Sequence, residues 1–262
     1  MALTKRTISI ARITLLITLV YLAAADNVLY GKKALQPEDI FRIKYADKAA
    51  ISPDGQWVAY TATIARDIAD KAGSRYSELH VVATETGANT PLVTGKRNAT
   101  TPRWHPDGHT IAFLTHDDAN KNDQVWTVPA DGGEIAQVTN SPSDIKSFQW
   151  HPNGEQIAYI AETPKTEREN ALKKKGYGFK YYEENLKHQN LYLVNVRDDG
   201  QIASPKQLTR DITIWSFVFS PDGSRIAVSA SEKNLVDYKY AFNHIHLLDL
   251  PSGKLTRFSG NP

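Results

Sequence analysis

The side chains with the most chemical potential lie in Lys173-Lys174-Lys175-Gly176-Tyr177-Gly178-Phe179-Lys180-Tyr181-Tyr182-Glu183-Glu184. Two adjacent carboxylates, Glu183 and Glu184, beside the phenols of Tyr181 and Tyr182 could bind the free α-amino group of a peptide, since anionic acceptors give the strongest hydrogen bonds to an ammonium. The same stretch also fits a solvated loop helix with ordinary charges. Thr163-Pro164 or Thr166 would cap that helix, with Glu169 completing a capping box from Thr166. The three adjacent lysines stand among Glu167, Glu169, Glu183 and Glu184, so they describe a solvated face and not a nucleic-acid patch.

Other constellations are less specific. His244 and His246 alternate on a predicted strand, so their rings share a face as a metal pair requires, but the sequence offers no third ligand. Asp117-Asp118-Ala119-Asn120-Lys121-Asn122-Asp123 holds some oxygen ligands of a calcium loop while lacking its central Gly and terminal Glu, which makes it a polar hairpin loop. No metal and no cofactor is expected. His105 and His151 occupy the same place before a Pro and are expected to be turn residues. Asn98-Ala99-Thr100 is a glycosylation sequon, relevant only in a eukaryotic secretory pathway.

The elements that must position these residues come from a fourfold repeat. Ile51-Ser52-Pro53-Asp54-Gly55, Trp104-His105-Pro106-Asp107-Gly108, Trp150-His151-Pro152-Asn153-Gly154 and Phe219-Ser220-Pro221-Asp222-Gly223 each end a strand and begin a turn. Pro fixes φ at the first corner, Asp or Asn bonds the local backbone, and Gly takes the positive φ that starts the next strand. The following Val58-Ala59-Tyr60, Ile111-Ala112-Phe113, Ile157-Ala158-Tyr159 and Ile226-Ala227-Val228 are apolar without alternation, which predicts strands covered on both faces.

Third strands are predicted at Glu78–Val82, Gln124–Val128, Asn190–Val194 and His244–Leu248. Short fourth strands are predicted at Pro91–Thr94, Ile135–Thr139, Lys206–Thr209 and Lys254–Phe258. Four four-stranded antiparallel units of roughly 45 to 70 residues match the blade of a β-propeller. The fold class is therefore all-β, with four blades over residues 49–262 after a lead-in at 26–48 that holds a short helix near Gln36–Ile43. Trp57, Trp104, Trp126, Trp150 and Trp215 fall in or beside the strands and are expected to pack between blades. Unit length varies mainly in the loop between second and third strands, which is shortest from Thr115 to Asp123 and longest from Ala161 to Gln189. One end of the blades is thereby elaborated, and loops on a rigid scaffold are where function concentrates.

The 262 residues are 41% hydrophobic and 23% charged with a net charge of +2, an ordinary globular balance with no field for a polyanion. Residues 1–25 read as a signal peptide: Lys5, Arg6 and Arg12 precede the apolar Ile13–Leu22, and Ala23-Ala24-Ala25 supplies small residues before Asp26. The chain has no Cys. An exported fold of this size without disulfides must rely on its core, which suits a bacterial periplasm or exterior, with no membrane association after leader cleavage.

The lead-in Pro37-Glu38-Asp39-Ile40-Phe41-Arg42-Ile43, the Pro-Asp-Gly repeats and the long insert running into His188-Gln189-Asn190-Leu191-Tyr192-Leu193-Val194 together resemble the N-terminal half of a secreted prolyl oligopeptidase-type serine peptidase, the group holding acylaminoacyl peptidases and dipeptidyl aminopeptidases. The resemblance covers residues from about Gln36 to the last. It implies a seven- or eight-bladed propeller that controls peptide access to a C-terminal α/β-hydrolase domain carrying a Ser-Asp-His triad. Dipeptidyl aminopeptidases of the group use a propeller Glu pair for the substrate amine; Glu183 and Glu184 fit that role, a solvated loop, or a contact with the hydrolase domain. No Gly-x-Ser-x-Gly elbow occurs in the sequence, so no catalytic residue is assigned and the chain alone is expected to be inactive. Tol-system periplasmic propellers share the Pro-Asp-Gly repeat, which leaves a non-enzymatic propeller that binds a protein partner as the alternative. Four blades without closure would leave two apolar end faces in water, a loss on the order of 10 kcal/mol, so the propeller is expected to be incomplete.

Overall fold

The computed structural model describes residues 34, 36–67, 69–117, 120–177, 186–197 and 201–258; the expected leader lies outside them. Two compact units divide between Ile43 and Lys44. In the first, Pro37–Arg42 forms a 3₁₀ helix. Pro37 begins it, Glu38 and Asp39 sit in the positive first turn, and the Gln36 N–H donates to Asp39 Oδ2 at 2.9 Å.

Among the described residues the second unit holds sixteen strands in four antiparallel sheets, each ordered as in the chain. Blade 1 contains β1 (Tyr45–Ile51), β2 (Trp57–Ile64), β3 (Tyr76–Ala83) and β4 (Asn89–Val93). Blade 2 contains β5 (Thr100–Trp104), β6 (Thr110–Thr115), β7 (Gln124–Pro129) and β8 (Ala136–Gln137). Blade 3 contains β9 (Ile145–Trp150), β10 (Gln156–Glu162), β11 (Gln189–Asn195) and β12 (Lys206–Gln207). Blade 4 contains β13 (Thr213–Phe219), β14 (Arg225–Ser231), β15 (His244–Asp249) and β16 (Leu255–Arg257). No helix among the described residues is long and apolar enough to cross a membrane.

The expected turns are present. Gly55, Gly108, Gly154 and Gly223 have φ between +72° and +79°, and each donates its N–H to the residue three earlier. The side chains of Asp54, Asp107, Asn153 and Asp222 each accept from the N–H two residues on. The fourth strands are shorter than predicted in blades 2, 3 and 4, and in blades 2 and 3 the reason is local. Thr139 and Thr209 turn their hydroxyls inward to accept the N–H of Val125 and Leu191 at 2.9 Å, so a side chain takes over from the backbone ladder.

The three core clusters lie at the junctions between successive blades. Alternation on β10 shows how one strand serves two of them: Ile157, Tyr159 and Ala161 join the cluster with blade 2, while Ala158 and Ile160 join the cluster with blade 4. Burial raises the Tyr159 phenol above its ordinary range. Blades 2 and 3 are thus covered on both faces, as predicted. Blades 1 and 4 are covered on one face, and Ile51 (68% exposed), Trp57 (39%) and Val218 (56%) remain in contact with solvent. Trp57 and Trp215 are consequently outside the clusters between blades, contrary to the expectation for all five tryptophans; the Trp215 indole donates instead to Ser231 Oγ of its own blade at 2.8 Å.

His105 and His151 do more than shape their own turns. The His105 Nε2 lies 3.0 Å from Gly154 O in the next blade, and His151 Nε2 lies 3.1 Å from Gly223 O. Blades 1 and 4 carry Ser52 and Ser220 there, whose hydroxyls donate to Asp54 and Asp222 of the same turn. In the opposite direction Trp104 Nε1–H donates to Ala50 O of blade 1 at 2.8 Å. Each junction therefore adds directional bonds to apolar burial.

The close approach sets a requirement at two glycines. A Cβ on Gly154 would lie 2.4 Å from His105 Nε2, and one on Gly223 would lie 2.4 Å from His151, whereas Gly55 has open space. Gly55→Ala is expected to cost about 1 kcal/mol from positive-φ strain, and Gly154→Ala or Gly223→Ala about 3 kcal/mol because the His bridge is also displaced. Urea denaturation checks this; equal losses at all three positions would show that the bridges contribute nothing.

Candidate functional site

Antiparallel order places the loops between second and third strands at the same end of each sheet as the connections to the next blade, opposite the Pro-Asp-Gly turns. The bonds agree with that placement. Asp123 N–H donates to Asp144 Oδ1 at 3.0 Å, and Asn122 Nδ2 donates to Pro142 O at 3.1 Å, joining the blade 2 loop to the connection before β9.

The longest loop, between β10 and β11, is closed at its base. Thr163 donates both its N–H and its hydroxyl to His188 O, at 2.9 and 3.1 Å. Among the loop's described residues one helix, α1 (Glu167–Lys174), starts at the predicted capping box: Glu169 N–H donates to Thr166 Oγ1 at 3.2 Å, and Thr166 N–H donates to Glu169 Oε2 at 2.6 Å. No residue of α1 is buried, so this part of the insert is a solvated helix with ordinary charges. Lys187 Nζ donates to the same Glu169 oxygen at 2.9 Å. The Thr166 N–H, the Lys187 ammonium and the Thr166 hydroxyl hold the Glu169 carboxyl at about 2, well below its ordinary 4.5.

Blade 4 fixes the base from the other side. Asn234 Nδ2 donates to Lys187 O at 2.7 Å, Gln189 Nε2 donates to Asn234 Oδ1 at 3.0 Å, and His188 Nδ1 meets the buried Thr213 hydroxyl at 3.0 Å. Asn234 was not singled out in the sequence, and no local pattern marks it, because its partners lie 45 and 47 positions away. Tyr181, Tyr182, Glu183 and Glu184 lie outside the described residues.

The remaining candidates resolve into structural roles. In the blade 2 loop, Asp117 Oδ1 accepts from Asn120 N–H at 2.7 Å, Asn120 Oδ1 accepts from Asn122 N–H at 3.0 Å, and Asp123 pairs with His116 Nδ1 at 2.9 Å. These oxygens are used within the hairpin, and Asp118 lies outside the described residues. His244 Nδ1 stands 2.9 Å from Arg257 Nη2, a guanidinium that opposes a cation there, and desolvation lowers the His246 pKa. Among the described residues no three His, Asp or Glu side chains converge as metal ligands. The Asn98 side chain accepts from Ser77 N–H at 3.2 Å, and Ala99 is fully buried. At the opposite, turn end, a cleft of about 320 Å³ lies between blades 3 and 4, with Leu193, Leu208, Leu250 and Pro251 beside Lys206 and His151.

No family model matches the chain. It is 28% identical over 215 residues to the uncharacterized peptidase YuxL of Bacillus subtilis (strain 168), covering 76% of this chain and 32% of that protein. It is 28% identical over 114 residues to dipeptidyl-peptidase 5 of Porphyromonas endodontalis, covering 44% and 16%. The chain thus spans about a third and a sixth of these two curated relatives. Among solved structures, Pyrococcus horikoshii acylaminoacyl peptidase superposes with a TM-score of 0.60 at 15% identity, over 84% of this chain and 33% of that one. The β-propeller domain of the trilobed protease of Pyrococcus furiosus gives 0.55 at 16%, over 84% and 58%, and TolB of Acinetobacter baumannii gives 0.52 at 16%, over 82% and 43%. The four sheets are blades of a β-propeller, and the chain is similar to the propeller region of prolyl oligopeptidase-type peptidases.

The tether at the base of the insert is open to direct measurement. Because the folded pKa of Glu169 is depressed, its contribution is present above about pH 4.5 and is lost as pH falls toward about 2. Glu169→Ala is expected to speed exchange of the Thr166 amide at least about fivefold near neutral pH, with little difference from the native chain near pH 2. Unchanged exchange at neutral pH would show that the insert base is held without Glu169.

Proposed function

We propose that these blades are the substrate-admitting part of an exported serine peptidase acting on peptides, whose catalytic groups lie on an α/β-hydrolase domain of the same polypeptide. The observation that carries this reading is the 28% identity over 215 residues to a peptidase of which those residues occupy only 32%. The structure contributes a physical reason. The sheets are tied together by apolar faces and by His and Trp bridges, whereas the loops that vary between blades emerge at one end, where a rigid ring can hold them around an entering chain. The blade 3 insert is braced at that end against blade 4. In this role the blades touch substrate without changing it, admitting an extended peptide and excluding folded protein. Export to the periplasm or exterior forms part of the proposal and rests on the pattern of residues 1–25. The Glu183–Glu184 pair remains a candidate for the substrate amine on its sequence alone.

A non-enzymatic propeller that binds a protein partner is the second reading, supported by the likeness in fold to TolB. The sequence likenesses to peptidases favour the first.

Intact mass of the native product in source cells, detected with an antibody to the blades, separates the two. The peptidase reading expects a species about three times the mass of this chain that a fluorophosphonate probe labels on serine. A species no heavier than this chain, unlabelled by the probe, would overturn it in favour of the binding propeller.

A further inference from the structure

Arg97 lies in the connection between β4 and β5, at the elaborated end of the blades. Its position is fixed by bonds on either side. Gly95 N–H donates to Glu78 Oε1 at 2.9 Å, Lys96 pairs with Asp70, and Ala99 N–H donates to Ser77 O at 2.9 Å. The connection therefore holds the Arg97 guanidinium over the Trp126 ring on β7 of the next blade, 5.4 Å from the ring centroid.

Three buried side-chain nitrogen or oxygen atoms among the described residues have no hydrogen-bond partner, and two of them belong to this stacked pair: Arg97 Nη1 and Trp126 Nε1. Both are donors, and one is cationic. Leaving such groups buried and unpaired costs far more than the stacking of a guanidinium on an indole returns. The carboxylates bonded to this connection are already engaged, Asp70 by Lys96 and the Tyr76 hydroxyl, and Glu78 by Gly95 N–H and His80. Arg97 and Trp126 as whole residues are only half-buried, although Nη1 and Nε1 are themselves buried.

We propose that Arg97 and Trp126 form an anion site between blades 1 and 2 that takes a carboxylate, its oxygens accepting from the guanidinium fork of Arg97 and from Trp126 Nε1–H. A carboxylate suits this pair because a guanidinium presents parallel donors to two oxygens, and the indole adds a third donor without charge. The carboxylate can come from a peptide terminus or from a small free acid. The site stands whether or not the blades serve a peptidase, and its test reads binding alone.

The indole N–H resonance of Trp126 in the ¹⁵N-labelled full chain reports directly, assigned by its loss in Trp126→Phe. Titrations at constant ionic strength use sodium acetate, acetyl-Ala-Ala as free acid, acetyl-Ala-Ala amide and sodium chloride. A saturable shift with the carboxylates, absent with the amide and with chloride, is expected, and tighter binding of the peptide acid than of acetate identifies a peptide source. Arg97→Gln should abolish the saturable shift while the other four indole resonances stay in place. Arg97→Lys, which keeps the charge and loses the fork, should bind at least about tenfold more weakly and is read instead should the Gln variant fail to fold. No shift with either carboxylate, an equal shift with the amide or chloride, or undiminished binding by the Lys variant would overturn the site.

Discussion

Everything in this chain depends on stacking sheet on sheet, because a four-stranded blade has two faces and water can be excluded from one only by a neighbour. The second strand of each blade bears that constraint most directly. In β10 successive side chains alternate between the clusters with blades 2 and 4, and Ile157 through Ala161 are all at most 2% exposed. Such a strand has no polar face to give up, so its sequence must be apolar at every position. In blades 1 and 4 the corresponding strands are covered on one side, and the large apolar side chains at Ile51 and Val218 stay in solvent.

Apolar burial alone would let blades slide or rotate against one another, since it has no direction. The bridges between turns supply direction. A ring nitrogen of His105 or His151 facing a glycine carbonyl in the next blade fixes one end of the junction, and the Trp104 indole bonded to Ala50 fixes the inner strands. These contacts require a glycine with no Cβ in the path of the ring, which makes Gly154 and Gly223 more constrained than their shared positive φ would indicate. With the turn end committed in this way, variation is free to accumulate at the other end, where the blade 3 insert is anchored by Glu169, Lys187 and Asn234. Division of labour between the two ends is a consequence of the packing.

The candidate residues divide along the same line. The sites that looked most like metal or calcium positions turn out to be spent on local structure: His244 faces a guanidinium, and Asp117 and Asp123 close a hairpin. Arg97 and Trp126 carried no motif, yet they are left with buried donors that nothing described satisfies. A spacing rule finds groups that are close in sequence, whereas an orphaned donor is defined by what three-dimensional packing fails to bring near it.

By itself the sequence determined the blades. A turn of Pro, Asp or Asn, and Gly acts over four residues, and an apolar run without alternation marks the second strand locally, so strand order, turn geometry and the capping box at Thr166 were all legible from short windows, whereas the covering of both faces held only where a blade has two neighbours. Tertiary structure alone decided what crosses between blades. The partners of His105, His151, Asn234 and Arg97 lie 29 to 72 positions away along the chain, and which residue they meet depends on the angle and offset at which one sheet settles on the next. That offset is set by the summed fit of many side chains at each junction, a quantity no short window contains.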